Sequence, residues 1–265
     1  MKLFLVFASL AVVLAKGHPN YINSSLNRGQ DTPTNIIFNG YKASDGQAPY
    51  IVSLRFSYFE LCGGSIIGDT WILTAAHCLI NRVYVDILYG SNHVWKPKLV
   101  ERVGNEKFIS HQLYSPGGTS LNYDIALIQT PRVAFSDKIN KISLPKFSNK
   151  LNSFAGQKTT ACGWGLISHI ILPKYLRCID VEILSNQECA KTYDAITDDI
   201  LCTGVVGGKS TCNGDSGGPL VTRTKPPILV GIVAFGDILC SSDSFYTRVT
   251  THLEWIYDQT DFFSS

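Results

Sequence analysis

The sequence predicts an all-β protein that ends in a short helix. Short apolar runs, "YIVSLRF", "WILTAA", "YVDILYG", "IALIQT" and "ILVGIVAF", recur between turns rich in Gly, Asn, Pro and Ser, which is the punctuation of strands. They follow one another too closely for intervening helices, so a βαβ architecture is disfavoured and a sandwich or barrel is favoured. With 45% hydrophobic residues in a chain of 265, there is ample apolar mass for a sizeable core.

The first fifteen residues, "MKLFLVFASLAVVLA", carry one lysine, an apolar stretch and a small-residue end, the layout of a secretory signal peptide cleaved after Ala15. A buried N-terminal helix or a membrane anchor is the alternative, but the stretch is too short to span a bilayer comfortably. Residues 16–36 are polar, rich in Asn, Ser and Pro, and without apolar periodicity, so they are expected to be a solvated spacer. At the other end, "VTTHLEWIYDQT" places Leu253, Ile256 and Tyr257 at helical spacing behind Thr250 or Thr251 as N-caps.

Charge excludes some function classes. Charged residues make up 17% of the chain, the net charge is +2 and neither sign forms long runs, so neither a nucleic-acid surface nor a polybasic membrane surface is expected. An exported chain places its eight cysteines in an oxidising compartment, where disulfides are the default. No C-x-x-C pair is present to suggest a zinc site, and spacing alone leaves the disulfide connectivity open.

One stretch carries chemistry. In "STCNGDSGGP", Ser216 sits among glycines, either in a plain tight turn or as a nucleophile whose small neighbours let a substrate carbonyl approach the backbone. A serine hydroxyl needs a base, and the base needs an orienting acid. His77 closes the apolar run "WILTAAHC", and Asp124 opens the run in "NYDIALIQT". Taken singly, each has a plain reading, a satisfied core or surface histidine and an ordinary turn aspartate.

Together and in this order, "TAAHC", "DIAL" and "GDSGGP" resemble the chymotrypsin-like serine protease family, closest in pattern to arthropod digestive members. The resemblance runs from Ile37 to the C-terminal helix. It implies two six-stranded antiparallel Greek-key β-barrels, a trypsin-like double barrel, with the site in the cleft between them. It divides the chain into a signal peptide (1–15), a propeptide (16–36) and a protease domain (37–265). Ser216 is then the nucleophile, His77 the base and Asp124 its orienting acid, with the N–H groups of Gly214 and Ser216 forming the oxyanion hole.

The same resemblance implies that a new terminus at Ile37 pairs with Asp215 after zymogen cleavage, although Ile36 stands where the family usually has Arg or Lys. It pairs Cys62 with Cys78, Cys162 with Cys178, Cys189 with Cys202 and Cys212 with Cys240. Ser210 takes the pocket-floor position, and Gly236 and Ser244 take the walls. A neutral floor points to apolar side chains before the scissile bond, whereas an inward Asp243 would admit basic ones. Ala234 stands where the family often has a serine bonded to the acid.

The expected function is therefore a secreted, extracellular, monomeric serine endopeptidase. Its expected partners are protein or peptide substrates and protein protease inhibitors, with no nucleic acid and, after signal removal, no membrane. Neither a cofactor nor a metal is expected, since the loop after Tyr89 lacks the dense carboxylates of a calcium site. The alternative from another class is a catalytically silent homologue that binds a partner through the same surface.

Overall fold

The structure is a computed structural model that describes residues 40–57, 60–117, 122–166, 171–191, 193–205, 210–236, 242–260 and 262. The signal peptide, the spacer and Ile37 lie outside the described residues. In chain order the elements begin with strands β1 (Tyr41–Lys42), β2 (Ile51–Arg55), β3 (Leu61–Gly68) and β4 (Trp71–Thr74), then the one-turn helix α1 (Ala76–Leu79). Next come β5 (Tyr84–Tyr89), β6 (Leu99–Gly104), β7 (Phe108–Ser110), β8 (Ala126–Gln129), β9 (Lys158–Gly163) and β10 (Arg177–Glu182). The chain closes with α2 (Asn186–Cys189), β11 (Ile200–Thr203), β12 (Pro219–Thr222), β13 (Leu229–Phe235), β14 (Ser244–Arg248) and α3 (Leu253–Gln259).

Among the described residues these strands form two antiparallel sheets of seven, where six each were expected. The first runs β6-β5-β2-β3-β4-β8-β7. Its two edges, β6 and β7, are neighbours in the chain, separated only by the 3-10 turn Asn105–Lys107, so the seventh strand is one strand interrupted. The second runs β1-β10-β9-β12-β13-β14-β11, and its extra member is the two-residue β1, which pairs Tyr41 with Cys178. An Ile183–Thr203 bridge joins β10 to β11 and curls this sheet shut. The orders β5-β2-β3-β4 and β12-β9-β10-β11 are both Greek keys.

Apolar alternation fills each curled sheet. In the second, Ile179 and Val181 on β10 point inward to Leu201, Leu220 and Tyr246 while Asp180 and Glu182 face outward. The first packs Val52, Leu54, Ile72, Val85, Ile87 and Leu127, all buried. Strand β3 is buried along its whole length. At Gly64 a side chain would collide with Val52 and Ile72 inside the barrel, so any larger residue there would force the core to shift.

The C-terminal helix forms as expected, with Leu253 and Ile256 fully buried, but its start is different. A 3-10 turn, Val249–His252, precedes α3, and neither Thr250 nor Thr251 caps it. The Thr251 hydroxyl is instead shared between Asp199 Oδ1 at 2.8 Å and the Arg248 carbonyl at 2.7 Å. Both threonines already lie within the 3-10 turn, so neither stands at a helix N-cap.

Candidate active site

Strand register brings the histidine and the acid together. β4 and β8 pair antiparallel with Thr74 opposite Ala126, so the chain leaving β4 into α1 runs beside the chain entering β8. The Cys62–Cys78 disulfide then pins α1 to β3. His77 Nδ1 lies 2.7 Å from Asp124 Oδ2, and the His77 backbone N–H donates to Asp124 Oδ1 at 2.9 Å. The carboxylate side chain is 8% exposed and the imidazole 33%, so the acid is shielded while the ring reaches solvent. With Nδ1–H committed to the carboxylate, Nε2 of the neutral ring is the lone-pair nitrogen. Ala234 is buried and has no hydroxyl to offer Asp124.

Ser216 arrives from the second barrel. Its carbonyl accepts from Gly63 N–H of β3 at 2.7 Å, while Gly217 N–H donates to Val233 O at 2.7 Å. Cys78 Sγ lies 3.7 Å from both His77 Nε2 and the Ser216 carbonyl, which sets the serine turn against the histidine. The Ser216 hydroxyl and the His77 ring make no direct hydrogen bond among the described residues. Gly217 has a φ of 77°, and a Cβ there would sit 2.2 Å from Thr74 Oγ1 and 2.6 Å from Gly63 O. A Cβ on Gly63 would in turn strike Gly218 Cα at 2.7 Å. These glycines let the two barrels meet backbone to backbone. Gly214 has a φ of 97°, and neither its N–H nor that of Ser216 has an acceptor among the described residues.

Ser216 opens onto a cavity of about 200 Å³ walled by Thr211, Cys212 and Asn213 on one side and by Val233, Ala234, Phe235 and Gly236 on the other. Gly236 leaves its wall open, since the atom nearest a Cβ there would be Asp243 O at 3.9 Å. Ser210, expected as the pocket floor, and Ser244, expected as a wall, are each only 2% exposed, and both bond to Thr211, which lines the cavity. Ser244 Oγ accepts from Thr211 N–H at 3.0 Å, and Ser210 Oγ donates to Thr211 O at 3.1 Å. Asp243 accepts from Val205 N–H at 3.3 Å.

Beneath the turn, Asp215 is 1% exposed. Its carboxylate accepts from Gly165 N–H at 2.7 Å and Cys212 N–H at 2.9 Å. Burial nevertheless outweighs these donors and pushes the carboxyl up to about 6. A Cβ on Gly163 or Gly165 would overlap that carboxylate at 2.1 and 2.5 Å. The glycines of "CGWG" are thus its cradle, a role that sequence reading missed because it used this stretch only for its cysteine.

The expected disulfides Cys62–Cys78, Cys162–Cys178 and Cys189–Cys202 are formed. Cys212 is also disulfide-bonded, while its expected partner Cys240 lies outside the described residues. Cys62, His77 and Cys78 cluster closely enough to suggest a metal site, but the two sulfurs are bonded to each other and are not thiolate ligands.

Because Gly217 combines a left-handed backbone with a collision against the opposite barrel, Gly217→Ala is expected to cost at least about 2 kcal/mol of stability. Denaturant unfolding checks this. A loss below about 0.5 kcal/mol would show that the interbarrel contact relaxes freely.

Comparison with known proteins gives a consistent picture. The trypsin family model matches residues 37–256. "Serine protease 1" of Drosophila melanogaster is 43% identical over 241 residues, covering 86% of this chain and 89% of the relative. The "Collagenase" of Hypoderma lineatum is 36% identical with 98% of each chain covered. The solved structure of HL collagenase superposes with a TM-score of 0.75 at 34% identity, covering 83% of this chain and 96% of the other. A double barrel carrying this serine, histidine and aspartate, matched along nearly its whole folded length, belongs to the trypsin family, and the chain is a serine endopeptidase.

Proposed function

We propose that Ser216, His77 and Asp124 are the catalytic triad, that the N–H groups of Gly214 and Ser216 are the oxyanion donors, and that substrates present an apolar side chain before the scissile bond. The carrying observation is the 2.7 Å contact between His77 Nδ1 and Asp124, set beside the Ser216 turn. Ser216 Oγ attacks the scissile carbonyl carbon and its proton passes to His77 Nε2. Asp124 holds the ring and stabilises the imidazolium. The oxyanion gathers hydrogen bonds from the two N–H groups, each worth about 3 kcal/mol in the transition state. Collapse breaks the C–N bond, the imidazolium protonates the leaving amine, and water repeats the sequence to release the acid and free Ser216.

The apolar preference rests on the neutral cavity walls among the described residues and on the uncharged serines bonded to Thr211. A basic preference finds no support in Asp243, whose carboxylate is turned to the Val205 backbone. The chain is further proposed to be secreted as a monomeric zymogen with residues 1–15 as signal and 16–36 as propeptide, and to be exposed to protein protease inhibitors. Protein beginning at Ile37 is expected to cleave after Phe, Tyr or Leu in preference to Arg, and Ser216→Ala is expected to abolish the activity. A folded protein with a verified Ile37 terminus and no hydrolysis would favour the silent homologue.

Activation is proposed to work through Asp215, which is buried and has no cationic partner among the described residues. A carboxyl raised from 3.8 to about 6 binds its proton more tightly folded than unfolded, so its contribution makes stability fall as pH rises through that window. An Ile37 ammonium would reverse this by favouring the carboxylate. The stability of cleaved over uncleaved protein is therefore expected to grow between about pH 4 and pH 7. Thermal unfolding of both forms across that range tests it, and a pH-independent difference would contradict the pairing.

A further inference from the structure

Asp124 does not lie on regular strand. Ile125 N–H donates to Tyr123 O at 2.7 Å, which makes Asp124 the middle residue of a three-residue turn. Tyr123, which enters that turn, has a φ of 63°, a left-handed backbone that a bulky side chain adopts only under constraint. The direction in which the catalytic acid points therefore depends on what holds Tyr123.

What holds it comes from the other barrel. Tyr123 N–H donates to Asp199 Oδ2 at 2.7 Å, and Asp199 stands just before β11. The other oxygen, Oδ1, lies 2.5 Å from His252 Nε2 and accepts from the Thr251 hydroxyl. The pair is sealed, with side chains 11% and 3% exposed. Burial by itself raises the Asp199 carboxyl, but His252, Tyr123 N–H and Thr251 together bring it below the ordinary carboxylate range. His111 stacks on the Tyr123 ring at 4.8 Å and meets His252 edge-on at 5.2 Å. Thr197 Oγ1 donates to Asn122 Oδ1 at 2.7 Å, a second tie from the same segment.

We infer that Asp199, locked by His252, is a positioning residue for catalysis: it clamps Tyr123 in the left-handed conformation and so aims Asp124 at His77 from behind. This rests on the proposed triad. Neither Asp199 nor His252 touches His77 or Ser216 in the described contacts, so the effect passes through the backbone.

The test uses protein beginning at Ile37. Asp199→Ala is expected to lower kcat about 10- to 100-fold with KM changed less than threefold, the signature of a misaimed catalytic group. Asp199→Asn, which keeps the shape but not the charge facing His252, is expected to give a smaller loss of the same kind and serves if Asp199→Ala does not fold. Adding Tyr123→Gly to Asp199→Ala is expected to restore most of the lost kcat, because glycine takes the left-handed backbone without a clamp. The low-field proton resonance of His77 Nδ1–H reports the bond to Asp124 even without turnover, and it is expected to broaden or move upfield in both Asp199 variants. Folded Asp199 variants with kcat within twofold of the parent and an unchanged resonance would overturn the inference, as would a loss confined to KM or a double variant with no recovery. If these variants are unimpaired while Ser216→Ala is inactive, only the clamp fails. If Ser216→Ala still hydrolyses substrate, the triad fails first.

Discussion

The structure depends on one contact, the place where two barrels touch without side chains. Gly63 on β3 meets Gly217 and Gly218 on the serine turn, at separations that leave no room for a Cβ, and Gly63 N–H closes the contact on the Ser216 carbonyl at 2.7 Å. The histidine and the acid belong to the first barrel and the serine to the second, so any loosening here separates the proposed nucleophile from its proposed base. The Cys62–Cys78 disulfide lies against the same contact, with Cys78 Sγ 3.7 Å from both His77 Nε2 and the Ser216 carbonyl. A local cross-link and a glycine seam thus fix one point from two directions.

Three largely shielded carboxylates serve this arrangement, and each is satisfied differently. Asp124 is bound by His77 through both oxygens, which in the proposed mechanism couples its charge to the imidazolium formed during turnover. Asp199 is matched by His252 and by backbone and hydroxyl donors, and its charge serves geometry. Asp215 has donors but no cation among the described residues, and its carboxyl is raised to about 6. An uncompensated buried acid is costly, and under the proposed activation a newly released ammonium would relieve that cost.

How much of this was legible in the sequence follows from how local each signal was. The serine turn, His77 and Asp124 each sit in a contiguous motif, and β4–β8 pairing makes two of them neighbours. The double barrel was equally legible, and the strand count differed only because a 3-10 turn interrupts one edge and two residues of β1 add to another. The start of α3 was not legible because no motif shows that Thr250 and Thr251 enter a 3-10 turn before the helix. The Asp199–His252 clamp was invisible for the same reason: neither residue lies in a motif, and the left-handed Tyr123 carries no glycine to announce it. Ser210 and Ser244 were read as floor and wall from their positions, and their bonds to Thr211, which lines the cavity, lay beyond what those positions show.

The central claim is that contact between the barrels lets the His77–Asp124 pair of one activate Ser216 of the other. The most direct measurement is covalent capture with a phosphonylating serine reagent on protein beginning at Ile37, with the adduct mapped by mass spectrometry. Rapid labelling confined to Ser216, and lost in His77→Ala, is the predicted result. Labelling elsewhere, or labelling of Ser216 that is indifferent to His77, would contradict it.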